Sequence, residues 1–170
     1  TGRQNFRHDH FDFGREDLME HMRGGRNLGL IATRQVPNCD FCHVFVTRSF
    51  IEMKTCSHDR GTNLFPLYLK GSSGGLNFGA SGKPNFSDKF LARLAASLRL
   101  LQSTREGLPD GVTPEDILYY AYAVFHSPGY RSQYAELLKI DFPRLPLTAS
   151  LQLFRALACL GGELVALHLL

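Results

Sequence analysis

The spacing of hydrophobic positions changes part-way along the chain, and that change predicts the fold class. Residues 27–34 (NLGLIATR), 42–51 (CHVFVTRSFI) and 63–70 (NLFPLYLK) are short runs rich in branched and aromatic side chains. Turn-forming residues bound each of them, which predicts three β-strands. Pro66 has no amide hydrogen, so the third is expected to be an edge strand or to contain a bulge. Upstream, Leu18, Met19 and Met22 recur at helical spacing within residues 14–24, and Gly24-Gly25 supply a stop.

Beyond residue 85 the period lengthens to that of helices. Phe90, Leu91, Leu94, Leu98 and Leu101 form one stripe, predicting a helix from about Asn85-Phe86-Ser87 to about Arg105. Thr113-Pro114-Glu115-Asp116 combines an N-cap, a proline at the first helical position and acids in the first turn. Ser127-Pro128 repeats the start signal for a helix through Tyr130, Tyr134, Leu137 and Leu138. Pro143 and Pro146 force residues 141–146 to be extended. Thr148 is expected to cap a last amphipathic helix carrying Leu151, Phe154, Leu157, Ala158, Leu164 and Val165. Strands followed by helices predict an α+β fold: a small N-terminal β-sheet with a short helix, then a C-terminal helical bundle. One domain is expected over residues 1–170, with a Gly/Ser-rich connector at 71–85.

Composition excludes more than it assigns. With 44% hydrophobic and 21% charged residues, the chain is neither collagen-like nor intrinsically disordered. The longest apolar run read from the sequence, residues 117–125, is far short of the ~20 residues of a membrane span, so no membrane partner is expected. The polar start, Thr-Gly-Arg-Gln-Asn, has no signal-peptide pattern, and a cytoplasmic location is expected. The absent initiator Met suggests a piece of a longer polypeptide. Net charge is only +3, but its distribution matters: residues 63–105 carry six Lys/Arg against one acid, Asp88. Clustered cations with few acids suit a phosphate-backbone footprint, and equally a solvated helix face.

Few local motifs carry chemistry. Cys39, Cys42, Cys56 and His58 offer a possible zinc set, although one intervening residue is tight for the second pair. Ordinary reduced thiols are the simpler reading. The CxxCH pattern at 39–43 lacks the axial-ligand context of haem attachment. Asn77 stands where a P-loop ending in Gly82-Lys83 needs glycine, and Pro84 follows, so that motif is rejected. Tyr119, Tyr120, Tyr122, Tyr130 and Tyr134 could stack on bases. At helical spacing they are more simply core residues with hydroxyls at the rim. No catalytic constellation is legible, and no catalytic residue is expected.

One longer pattern is distinctive. Residues 113–131 (TPEDILYYAYAVFHSPGYR) and 134–147 (YAELLKIDFPRLPL) resemble the C-terminal specificity, or target-recognition, domain of Type ISP enzymes and related fused Type IIG restriction–modification proteins. RGGRNLGLIATRQ at 23–35, HVFVT at 43–47, FIE at 50–52, LFPLYL at 64–69 and NFS at 85–87 agree in order. The resemblance implies a parent polypeptide with a nuclease, often an ATP-dependent motor, and an adenine-N6 methyltransferase. That parent would use S-adenosylmethionine, Mg and, with a motor, ATP; this piece would hold no cofactor. It would read double-stranded DNA, with the 119–147 block as scaffold and the surface facing the methyltransferase domain. Candidate DNA contacts are Arg34, Gln35, Arg48, Lys70, Lys83, Asn85, Lys89 and Arg93. The Cys/His region does not match the family pattern, which leaves a zinc- or thiol-dependent interaction module as the alternative.

Overall fold

Strand β1 (Gly29–Thr33) is the middle of a three-stranded antiparallel sheet, flanked by β2 (Val44–Thr47) and β3 (Thr62–Pro66). The computed structural model describes residues 20–36, 40–51, 61–70, 82–103 and 106–170. Leu30 pairs with Val46 on one side and with Phe65 on the other. Strand β1 is apolar apart from Thr33 and buried along most of its length. Strand β2 alternates instead, with Val44 and Val46 inward and Phe45 outward. It is shorter than predicted because the Thr47 hydroxyl folds the chain into a turn. Thr47 Oγ1 accepts from Ser49 N (2.9 Å) and donates to Ser49 O (3.1 Å).

The third predicted strand divides at Leu67. β3 is indeed an edge strand ending at Pro66, and the chain then leaves that sheet. Tyr68–Leu69 (β4) pairs with Lys83–Pro84 (β5) in a separate two-stranded ladder. Part of the expected connector is therefore strand; residues 71–81 lie outside the described residues. So do residues 14–19 of the first predicted helix, although residues 20–22 are helical. Gly24 (φ 96°) and Gly25 (φ 65°) supply the left-handed exit that the sequence signalled.

Helix α1 (Asp88–Leu98) starts where Ser87 accepts from Phe90 N. It stops well before Arg105, because Arg99 adopts a left-handed conformation (φ 55°) and Leu100 N bonds back to Ala95 O (2.9 Å). Leu101 thereby leaves the predicted stripe and faces solvent. Helix α2 (Pro114–His126) has the expected capping box: Thr113 N donates to Asp116 Oδ2 and Asp116 N to Thr113 Oγ1. The helix expected after Ser127 is two short pieces, α3 (Pro128–Gln133) and α4 (Ala135–Leu138), broken at Tyr134. The last helix, α5 (Leu151–His168), is capped by Ser150 rather than Thr148; Thr148 Oγ1 instead accepts from Ser150 N.

Helix α5 packs on α2 through Phe154, Ala158, Gly161 and Val165. Its glycine is required by proximity, since a Cβ on Gly161 would collide with the carbonyl of Tyr119. Phe154 meets Tyr120 with ring centroids 4.9 Å apart. Among the described residues, α5 alone is long and apolar enough to cross a membrane, with mean hydropathy 1.2 over 18 residues. That exceeds the run at 117–125 singled out from the sequence.

The proline-containing stretch 141–150 is strapped to the helices by side chains. Tyr120 OH donates to Pro146 O (2.8 Å), Tyr130 OH to Arg144 O (2.9 Å) and Ser97 Oγ to Thr148 O (2.8 Å). A chain interrupted by prolines cannot satisfy its carbonyls in a regular ladder. Two tyrosines of the 113–131 block and Ser97 of α1 supply those donors, each contributing about 1 kcal/mol net.

Candidate nucleic-acid interface

The eight sequence-derived candidates fall into five places. Arg34 and Gln35 follow β1 and reach the segment after α4. Arg34 Nε lies 3.4 Å from Asp141 Oδ1, and Gln35 Nε2 donates to Ile140 O (3.1 Å). The Phe142 backbone N–H, followed by Arg34 and Arg144, holds the Asp141 carboxyl below its usual range. These two candidates thus tie the sheet to the helices. Arg48, the middle residue of the Thr47–Ser49 turn, is exposed just after β2.

Asn85 is occupied in a similar way. Its Nδ2 donates to Pro66 O (2.9 Å) and its backbone N to Leu67 O (2.9 Å), covering carbonyls left where the third strand breaks. Lys89 and Arg93 are exposed on the face of α1 opposite buried Leu91, Leu94 and Leu98.

Lys70 and Lys83 stand at one end of the β4–β5 ladder. Leu69 pairs with Lys83, and Lys70 is the next residue. Lys70 Nζ donates to Arg23 O (3.3 Å), and Lys70 N to His21 Nδ1 (3.0 Å). Arg23 and His21 therefore join the basic segment, although they lie 47 and 49 residues before Lys70 in sequence. No local pattern signals this; the pairing of distant segments creates it. Asn27 fixes the arrangement by bonding both Tyr68 and the His21 carbonyl. Tyr68 OH donates to Glu115 Oε1 (2.8 Å), anchoring β4 to the start of α2. Burial, then the hydrogen bond and charge of Glu115, raises the Tyr68 phenol well above its ordinary value.

Of the proposed zinc set, Cys39, Cys56 and His58 lie outside the described residues. Cys42 is exposed, with its sulfur 3.8 Å from His43 Nδ1. Among the described residues no group of three metal-ligating side chains comes together. A cleft of about 390 Å³ lies between the start of α2 and α5, lined by Asp116, Tyr119, Arg155 and Cys159 among others. Its carboxylate is already engaged in the α2 capping box.

The model of the Type ISP C-terminal specificity domain matches residues 5–170. The chain belongs to that family. Two solved structures share the fold of this specificity domain. One is a cryo-EM structure of a DrdV–DNA complex, at 26% identity and TM-score 0.61, covering 84% of this chain. The other is the ATP-dependent Type ISP restriction–modification enzyme LlaBIII bound to DNA, at 22% identity and TM-score 0.59, again over 84%. The specificity domain spans 12% of the first protein's chain and 8% of the second's. No curated protein matches the sequence.

Proposed function

We propose that this specificity domain recognises a DNA target sequence on behalf of a restriction–modification enzyme. It would position duplex DNA so that other domains of the parent chain methylate an adenine at N6 and cleave. The observation that carries this reading is the shared fold over 84% of the chain with a protein solved as a DNA complex, at 26% identity, within the specificity family. Phosphate contacts from Lys and Arg set register on the duplex, and base contacts then specify sequence. Arg48, Lys70, Lys83, Lys89 and Arg93 present exposed cations for the first task. Arg34, Gln35 and Asn85 each bond a partner within the domain through one nitrogen, and the exposed Arg34 guanidinium keeps further donors for DNA.

On this reading the domain itself performs no chemistry and holds no cofactor. S-adenosylmethionine, Mg and, for a motor, ATP belong to the parent, acting in the cytoplasm. The methyltransferase domain of the same chain is the proposed protein partner. Leu137 and Ile140 are exposed within the 119–147 block, and Leu153, Leu160 and Leu167 recur every seven residues on the outer side of α5. Such an apolar surface suits contact with the remainder of a much longer chain.

Domain exchange tests the proposal. Replacing residues 1–170 in a parent enzyme with the equivalent domain of a relative is expected to transfer methylation specificity to the relative's sequence. Unchanged specificity in a folded, active chimera would overturn it.

A further inference from the structure

Four residues with donor side chains stand around one end of the β4–β5 ladder: Lys70 and Lys83 on the ladder itself, and His21 and Arg23, whose ring nitrogen and backbone carbonyl bond Lys70. We infer that they form a contact site for the phosphodiester backbone of nucleic acid, rather than for bases. The inference rests on the DNA-recognition reading above and assigns this patch the positioning role.

The chemistry of the cluster is one-sided. Lys and Arg side chains donate and have no acceptor atoms. His21 Nδ1 accepts from Lys70 N (3.0 Å), so the neutral ring carries its proton on Nε2, a further donor. Phosphate oxygens accept at every nucleotide, whereas in the major groove adenine and cytosine present donors and only some base edges are acceptor-only. A donor-only cluster therefore matches the backbone whatever the sequence. Glu20, a neighbouring acid, forms no ion pair with Arg23; the ion pairs among described residues lie around Asp141 and Lys139.

The geometry favours a polyanion over a single small anion. Lys83 pairs with Leu69, and strand alternation directs Lys70 and Lys83 to opposite sides of the ladder. Lys70 sits with Arg23 and His21 on one side, through its bond to Arg23 O, and Lys83 stands on the other. Donors on two sides of an edge cannot converge on one small anion, whereas a polyanion passing the edge can meet both. The position is also built rather than incidental. Asn27 holds β4 against the segment carrying His21 and Arg23. A Cβ on Gly82 would lie 2.8 Å from Tyr68 Cβ and 3.0 Å from Leu69 O, so glycine is what permits the pairing that places Lys83.

Duplex binding by the full parent chain, titrated across salt concentrations on target and non-target sequences, tests the site. Removing one cation that touches a phosphate reduces the slope of log K against log salt by about 1, so the triple variant Arg23→Gln, Lys70→Gln, Lys83→Gln should flatten it by about 3. Affinity should fall on both sequences alike. The double variant Lys139→Gln, Arg155→Gln removes exposed cations elsewhere and should leave the slope unchanged. If the triple variant is unstable, each single variant should still reduce the slope by about 1. An unchanged slope in folded variants, with wild-type binding intact, overturns the site and leaves target recognition standing. Selective loss of target affinity assigns the residues to bases and overturns it equally. Displacement of the duplex by inorganic phosphate at constant ionic strength identifies a small-anion site and does the same. A wild-type parent that does not bind duplex at all removes both readings.

Discussion

Asn27 grips Tyr68 with both ends of its amide: Oδ1 accepts from Tyr68 N at 3.2 Å, and Nδ2 donates to Tyr68 O at 2.8 Å. The side chain imitates the paired bonds of an antiparallel strand, where β4 has left the main sheet and has only β5 beside it. The same Nδ2 also donates to His21 O at 3.0 Å. One amide thus joins the end of the N-terminal helical turn, the approach to β1 and the second ladder. Asn27→Ala is expected to destabilise the domain by about 1–3 kcal/mol, because part-buried backbone groups lose their partners. Urea denaturation measures this, and a midpoint equal to wild type would contradict it.

Gly161 and Gly162 look equivalent in sequence but should differ sharply on substitution. A Cβ at Gly161 would run into the backbone of Tyr119, which the packing of α2 prevents from moving. At Gly162 the nearest atom would be Tyr119 Cδ2 at 3.2 Å, in a side chain that can shift by a few tenths of an ångström. Gly161→Ala should cost about 3 kcal/mol or more, and Gly162→Ala about 1 kcal/mol or less. Thermal denaturation of the two variants checks the order.

Thr33 invites the opposite outcome. It is almost fully buried on β1, and its Oγ1 has no hydrogen-bond partner among the described residues. Replacing the hydroxyl with a methyl group removes an uncompensated desolvation cost and keeps the branched shape that suits a strand. Thr33→Val is expected to be neutral or to stabilise by about 1 kcal/mol. A marked fall in melting temperature would show that this hydroxyl matters to the fold.

Acid should weaken the domain through His126. Burial, chiefly, pushes its imidazole below the ordinary value of 6.5; Arg131 and His168 act in the same direction, against the bond to Tyr122 O. A depressed folded-state value means that the unfolded chain binds the proton first as pH falls. The His126 contribution is complete above pH 6.5 and is lost on acidification through the folded-state value. His43, also lowered by burial, adds in the same sense. Asp141 titrates lower still, below the ordinary carboxylate range. Melting temperature should therefore decline below pH 6.5, and His126→Gln should make that decline shallower. An identical pH profile in the variant would exclude His126 as a source.

The start of α2 shows how far local sequence reaches. Thr113, Pro114 and Asp116 lie within one turn, so the capping box depends only on residues next to each other, and it forms as read. The left-handed exit at Gly24-Gly25 and the edge position of Pro66 were legible for the same reason. The stop at Arg99 was not, because the apolar stripe continues through Leu101 and no glycine marks the end. The cap of α5 moved from Thr148 to Ser150 because Thr148 O is held by Ser97, a contact between segments far apart in sequence.

The sequence by itself determined the α+β class, the order of strands before helices, and the 113–147 pattern that marks the family. Each rests on hydrophobic period or on residues close together in the chain. Tertiary structure decided which partners the polar residues take within the domain. Arg34, Gln35 and Asn85 look like DNA readers in sequence, yet they hold Asp141, Ile140 and Pro66. Arg23 and His21 carry no local signal, yet they stand beside Lys70. The physical reason is common to both: a polar side chain takes whatever partner the fold brings near, and pairings across 19 to 107 residues leave no period in the sequence.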